Sequence, residues 1–298
     1  MKPFKTNSAI IGIGRWGKNL LREFNALTPV TVCVSKNSEK HHALFAHMYP
    51  EIEHTTSLER ALTDQNINAI VIATPPETHY LIARAALEAG KHAFVEKPMT
   101  MRYDQTKRLV EISKAKKRIL FEGHIYVYHP VFQKLCALLK NDPPVAAEFH
   151  LEKTGTFESD VVYNHAAHDI AVAISLFGTP RKIQLLSQIG SITKRDIVSF
   201  RLDFLKNRHS IITVNRISPK KHKSVTIKTK KNLYVWEGNV LFRWHPQSEQ
   251  FSSFFTSDES PLKKECAEFL TLVEGKKRDT ETRIAHSLMV AKILDELR

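Results

Sequence analysis

Ser8-Ala9-Ile10-Ile11-Gly12-Ile13-Gly14-Arg15-Trp16-Gly17 decides the fold class. A short apolar run ends in G-x-G-x-x-G, and the residues that follow put Leu20, Leu21 and Phe24 on one helical face. Glycines alone are a weak pattern. Between a strand and a helix, inside a strand–helix–strand unit, they form a dinucleotide-binding fingerprint. Gly12 permits the tight turn. Gly14 lets backbone approach a pyrophosphate resting on the helix N-terminus, and Gly17 lets helix and sheet pack closely. Arg15 and Trp16 lie inside the same turn and are cofactor-binding candidates with it.

Working outward, the unit repeats. Val30–Val34 (VTVCV), Ala69–Ala73 (AIVIA), His92–Val95 and Ile119–Glu122 read as strands. Helical stretches separate them, through Ala43, Leu44 and Met48, through Leu58–Leu62 behind a Ser57 cap, through Leu81–Leu87, and over Asp104–Lys116. The class is α/β: residues 1–123 are expected to form a Rossmann domain with a doubly wound parallel sheet. After Gly123 the rhythm changes. A helix follows Pro130, then a strand over Val145–Lys153, a loop, and a helix from about Asp169 to Phe177. Six strands are then expected, at Lys182–Ile189, Ile197–Phe204, Ser210–Arg216, Ser224–Thr229, Leu233–Trp236 and Val240–Trp244, with two closing helices, Leu262–Val273 and Thr282–Leu297. Strands without intervening helices predict an α+β domain, residues 124–298, on a mostly antiparallel open sheet.

The length, 298 residues, fits about two domains. No apolar run approaches the roughly 20 residues of a membrane helix. Met1–Asn7 has no apolar core of a signal peptide. Cys33, Cys136 and Cys266 are too few and too scattered for a metal knuckle or redox pair, and read as buried thiols of a cytoplasmic chain. The 15 histidines show no metal pattern, His41-His42 read as solvated, and no metal is expected. The unusual number is the charge, 44 Lys+Arg against 31 Asp+Glu, or +13. Arg201–Lys231 holds ten basic residues and one acid, with Val225 and Ile227 alternating against Lys228 and Lys230. That is a half-buried strand with a solvated basic face, or a wall facing phosphate. No nucleic-acid motif accompanies it, so no nucleic acid is expected as partner.

The second strand addresses the cofactor. An acid at its end would bind the ribose hydroxyls of NAD and repel a 2′-phosphate. This strand ends Val34-Ser35-Lys36-Asn37-Ser38, without an acid. Ser35 and Lys36 suit a phosphate, so NADP is expected over NAD.

Ala73-Thr74-Pro75-Pro76-Glu77-Thr78-His79 and Ala89-Gly90-Lys91-His92-Ala93-Phe94-Val95-Glu96-Lys97-Pro98 resemble paired segments of the Gfo/Idh/MocA oxidoreductases. Glu122–Pro130 resembles that family's crossing segment, and Asn164-His165-Ala166-Ala167-His168-Asp169 its second catalytic stretch. Pro261–Gly275 resembles its late helix. The chain is similar to the subgroup acting on nucleotide-linked sugars. The resemblance implies hydride transfer between nicotinamide and a secondary alcohol or ketone of a sugar. It also implies that Thr74, Pro75, His79 and Glu96 serve the cofactor with the glycine turn. Lys97, just past a strand end, would hydrogen-bond the reacting oxygen and stabilise its charge. The family's bond at Lys97–Pro98 is often cis. His168 matches the family's acid/base histidine, the alternative being a capping or packing role. Where the family usually has Asp, this chain has Asn164, which can orient a hydroxyl but cannot take its proton. His165 and Asp169 are neighbouring candidates for that task, Asp169 also suiting a helix N-terminus. Tyr126, Tyr128 and Tyr163 either line a sugar pocket or fill core. A homo-oligomer, dimer or tetramer, is expected. The rival reading is a non-catalytic dinucleotide-binding sensor, supported by Asn164.

Overall fold

The computed structural model describes residues 3–36, 39–155, 157, 160–276 and 279–298, and the side chains of these except 39–42 and 44. Met1, Lys2, Asn37 and Ser38, and the side chains of His41, His42 and Leu44, lie outside the described residues. In chain order the early elements are β1 (Ser8–Ile11), α1 (Gly17–Leu27), β2 (Val30–Val34), α2 (Glu39–Met48), β3 (Glu53–Thr55), α3 (Leu58–Thr63), β4 (Ala69–Ile72), α4 (Pro76–Glu88), β5 (His92–Glu96), α5 (Tyr103–Lys116) and β6 (Leu120–Gly123). A 3-10 turn, Ile125–Tyr128, leads into α6 (Pro130–Leu139) and β7 (Pro144–Glu152); a π-turn, Val162–Ala166, opens α7 (Ala167–Phe177). Then come β8 (Lys182–Ile189), β9 (Ile197–Phe204), β10 (Arg208–Asn215), β11 (His222–Thr229), β12 (Leu233–Glu237), β13 (Val240–His245), β14 (Gln250–Thr256), α8 (Pro261–Val273) and α9 (Glu281–Glu296). Two compact units result: Met1–His124 with Leu262–Ala291, and Ile125–Pro261 with Lys292–Arg298.

The first unit holds a six-stranded sheet in the order β3-β2-β1-β4-β5-β6. Every pairing is parallel. All residues of β1 and β4 are buried, which is why these strands read as unbroken apolar runs. The strand order reverses between β1 and β4, and ligands of such sheets bind outside the strand ends at that point. Phe24 of α1, Phe94 of β5, Phe121 of β6 and Phe269 of α8 form one aromatic cluster, with centroids 5.2 to 6.1 Å apart. Phe269 is fully buried there, so α8 belongs to this core. An amphipathic pattern announces that a helix has a buried face but not which core receives it.

The second unit holds an eight-stranded sheet, β14-β13-β12-β11-β7-β10-β9-β8. β7 and β10 pair in parallel and every other neighbour is antiparallel. β9 alternates buried and half-buried residues along its whole length, the mark of a sheet with one covered face. Two strands escaped the sequence reading. β3 is three residues of Glu-His-Thr, and β14 is mostly exposed on both faces, so neither carries an apolar alternation. α7 begins at Ala167, two residues before the expected start, because the π-turn already supplies helical backbone ahead of it. Among the described residues no helix is long and apolar enough to cross a membrane.

Candidate active site

The glycine turn follows β1. Gly12 has φ +90°, a conformation that disfavours a side chain, and a Cβ there would meet Ala73 backbone at 2.9 Å. A Cβ on Gly17 would lie 1.8 Å from the Gly12 carbonyl oxygen. At Gly14 a Cβ would meet nothing within 4 Å, so this backbone faces open space. α1 has no acid in its first turn and no side-chain cap. Its dipole therefore favours an anion there, while the N–H groups of Lys18 and Asn19 donate to Gly14 O and Trp16 O. Open backbone at a helix N-terminus free of carboxylates fits the pyrophosphate of a dinucleotide. Ser35 at the end of β2 is buried and donates its N–H to Thr55 O at 3.0 Å, while Lys36 and Arg15 are exposed.

Trp16 ties this turn to the Lys97 segment. Its ring is 41% exposed, yet its indole N–H donates to Glu96 Oε1 at 2.5 Å. Glu96 Oε2 accepts from the N–H of Lys97 at 3.2 Å. Lys97 is half-buried just past the end of β5, and the Lys97–Pro98 bond is cis. His79 on α4 bridges two loops, with Nδ1 2.8 Å from Pro98 O and Nε2 2.9 Å from Thr74 O. Burial holds its pKa below the usual imidazole range, against the pull of those two carbonyls. A neutral imidazole donates to only one of these carbonyls, so His79 anchors one of the two loops by a hydrogen bond and packs against the other. Thr74 is half-buried and Pro75 exposed at the start of α4.

Beneath Lys97 lies a group of acids not apparent from the sequence. Glu122 Oε1 accepts from Met99 N–H at 2.8 Å, and Oε2 lies 3.1 Å from His124 Nε2. Burial pushes Glu122 up, but the His124 ring and the Met99 amide outweigh it, leaving it below the ordinary carboxylate range. Glu265 of α8 is fully buried in the same unit. Burial, and then the charges of Glu96 and Glu122, drive its pKa well above the ordinary value. Burial likewise pushes Glu96 up to about 7, against the Trp16 hydrogen bond and the Lys97 charge. At neutral pH Glu265 therefore keeps its proton and Glu96 is close to half protonated, while Glu122 is ionised.

In the second unit the residues Val161–Ala173 are buried with two exceptions, Asn164 and His168, both half-buried. They are four positions apart along continuous helical backbone and share a face. π-turns recur at functional sites, and this one carries Asn164. His165 is 4% exposed and Tyr163 is 4% exposed, so both are interior. Among the described residues the Tyr163 hydroxyl has no hydrogen-bond partner. Tyr126 and Tyr128 are half-buried on the 3-10 turn, and the Tyr126 ring meets the His168 ring edge to face at 5.0 Å. Asp169 lies in the first turn of α7, as its type suits, and its Oδ1 pairs with Lys223 Nζ at 2.5 Å. Lys223 was visible only as one charge of the basic stretch. The signal that marks it is phase: it shares the inward face of β11 with Val225 and Ile227. The rest of that stretch divides. Arg216 is buried against Asp196 at 3.1 Å, while Lys220, Lys221, Lys228, Lys230 and Lys231 are exposed. Of the three thiols, Cys33 and Cys266 are buried and Cys136 half-buried. Among the described residues no group of three metal-ligating side chains is assembled.

A glycine turn at the reversal point of a doubly wound parallel sheet, linked to a lysine at a neighbouring strand end, defines a dinucleotide-binding domain. Residues 6–124 match the Gfo/Idh/MocA family model, described as an oxidoreductase family with an NAD-binding Rossmann fold. The UDP-N-acetylglucosamine 3-dehydrogenase of Acidithiobacillus ferrooxidans is 25% identical over 173 residues, covering 57% of this chain and 54% of that one. The chain spans about half the length of the curated relatives it matches. In structure it covers 99% of this chain and 97% of that dehydrogenase, with TM-score 0.89 and 20% identity. A 3-ketoreductase from Actinomadura kijaniata, in complex with TDP-benzene and NADP, gives TM-score 0.86 at 15% identity over 98% and 96% of the two chains. Biliverdin reductase from Synechocystis, in complex with biliverdin and NADP, gives 0.82 at 19% over 98% and 97%. Sugar-nucleotide and tetrapyrrole enzymes thus share this fold, which therefore does not choose a substrate.

Proposed function

We propose that the chain is an NAD(P)-dependent oxidoreductase acting on a secondary alcohol or ketone of a sugar, carried as a nucleotide sugar. The observation that supports it most is the 2.5 Å bond from Trp16 to Glu96, which ties the dinucleotide turn to the residue adjoining Lys97. When bound, the nicotinamide supplies the hydride-exchanging carbon. NADP is the preferred form, because Lys36 is an exposed cation at the end of β2 where NAD-preferring chains need an acid. The first unit, which takes back α8 from beyond the expected boundary at residue 123, carries the dinucleotide work and the second unit the substrate work. Gly12, Gly14, Arg15, Trp16 and Gly17 hold the pyrophosphate turn. Lys97 donates a hydrogen bond to the reacting oxygen and stabilises its charge. His168 moves the hydroxyl proton, and Asn164, on the same face, orients the sugar without exchanging a proton. Tyr126 and Tyr128 border that face. The exposed Leu185, Leu186 and Ile189 of β8 and Phe251 and Phe254 of β14 suit a homo-oligomer, and the buried thiols suit the cytoplasm.

Lys97→Ala is expected to lower turnover by about a thousandfold while leaving NADPH binding, followed by its fluorescence, within twofold. Unchanged turnover sinks the assignment. Asn164 in place of an acid favours one second reading, a dinucleotide-binding sensor that does not turn over. Single-turnover absorbance of bound NADPH with nucleotide 3-ketosugars separates the two: an absorbance loss is catalysis, and its absence across that panel favours the sensor.

A further inference from the structure

Lys223 has no place in the roles above, yet it reaches the start of α7 beside His168. It sits in phase with Val225 and Ile227, which are buried, and its side chain is 18% exposed. A cation on the covered face of a sheet needs a partner. Lys223 has two. Its Nζ lies 2.5 Å from Asp169 Oδ1 and 4.0 Å from the centroid of the Tyr126 ring. Tyr126 in turn packs against His168, and Asp169 follows His168 in the chain. One ammonium therefore touches both the carboxylate next to His168 and the ring that rests on it. The lysines of a merely solvated face, such as Lys228 and Lys230, do neither.

We propose that Lys223 is a positioning residue for His168: it neutralises Asp169 and seats the Tyr126 ring, leaving the imidazole to exchange its proton with substrate instead of with a neighbouring carboxylate. This rests on the reading of His168 as the proton-moving group. Among the described residues, the charged and titratable groups near His168 include Tyr163, His165 and Asp169 on its own segment, Tyr126 on the 3-10 turn, and Lys223 on β11. On β7, Glu148 and His150 pair with each other at exposed positions, and on β10 Arg208 donates to Phe177 O at the far end of α7.

An NMR titration of His168 in the full chain tests this without substrate, the resonance being identified by its loss in His168→Gln. Lys223→Met leaves Asp169 unanswered and is expected to raise the His168 midpoint by about one pH unit. Asp169→Asn leaves Lys223 unanswered and is expected to lower it. The double variant should return to the wild-type midpoint, and Lys223→Arg should keep it. A role in packing alone predicts no such opposed pair. Midpoints that stay put, or that move the same way in both single variants, overturn the proposal. If Lys223→Met does not fold, Asp169→Asn and the double variant, which bury no unpaired anion, decide by the same signs. Failure of the oxidoreductase reading would be seen separately, as unchanged turnover in Lys97→Ala with the opposed midpoints intact.

Discussion

Two regions of this molecule bury acids, and they handle the cost differently. In the first unit Glu96 and Glu265 are buried within reach of each other's charge and of Glu122. Glu96 accepts from the Trp16 indole and the Lys97 N–H, and the charges of Lys97 and His124 act on it as well. Burial then wins and protons stay on: Glu96 rises to about 7 and Glu265 well above its ordinary value. In the second unit Asp169 is equally buried, at 1% exposure, but an ammonium stands 2.5 Å away. The same chemistry, a carboxyl out of water, is met by proton uptake in one place and by an ion pair in the other. Depth of burial is therefore not the only variable: Asp169 has an ammonium at 2.5 Å. One consequence is that the Lys97 side of the machinery should respond to pH near neutrality through its acids.

The comparison can be broken most severely at the turn above the first region. Gly17→Ala puts a methyl group against the Gly12 carbonyl and is expected to cost more than about 4 kcal/mol, read as lost NADPH fluorescence binding and lowered thermal stability. Normal binding would remove the first region from any cofactor role. Next in size, Lys223→Met strands a buried carboxylate and should cost about 3 kcal/mol in urea unfolding at pH 7. Glu96→Gln should do the reverse. Folded Glu96 holds a proton that the unfolded chain loses from about pH 4.5 upward, so stability falls as pH rises through the window up to about 7. Removing the charge should therefore gain about 3 kcal/mol at pH 8 and nothing at pH 4. A gain of equal size at both pH values would mean that protonation is not the cause. Smallest of all, Lys228→Ala with Lys230→Ala should stay within about 0.5 kcal/mol, since both side chains are exposed. A larger loss would show that the outward charges of β11 matter as the inward one does.

The glycine turn was legible because its meaning is local: a backbone at φ +90° and a contact of 1.8 Å admit no side chain wherever they occur. The parallel and antiparallel halves were legible for a similar reason, since strands buried on both faces read as apolar runs and strands with one wet face alternate. The partners around the site were not legible. Trp16 and Glu96 are 80 residues apart, and Lys223 and Asp169 are 54 apart. Nothing in either neighbourhood names the other. The return of α8 to the first core was hidden as well, although Phe269 and Glu265 are both fully buried there. The +13 that opened the question of a polyanionic partner proves mixed in placement. Part of Arg201–Lys231 is solvated, Arg216 is a buried structural ion, and Lys223 pairs with Asp169 beside His168.

The sequence by itself determined the strand–turn–helix unit, the order of the elements apart from β3 and β14, and the residue types available for dinucleotide and proton chemistry. Those depend on backbone geometry and on periodicity, which neighbouring residues specify. Tertiary structure alone decided which acids keep protons and which lysine is paired. It also decided which two positions of an otherwise buried segment, Asn164 and His168, remain accessible. Electrostatic free energy depends on distance and burial in three dimensions, and a pattern along one dimension carries neither.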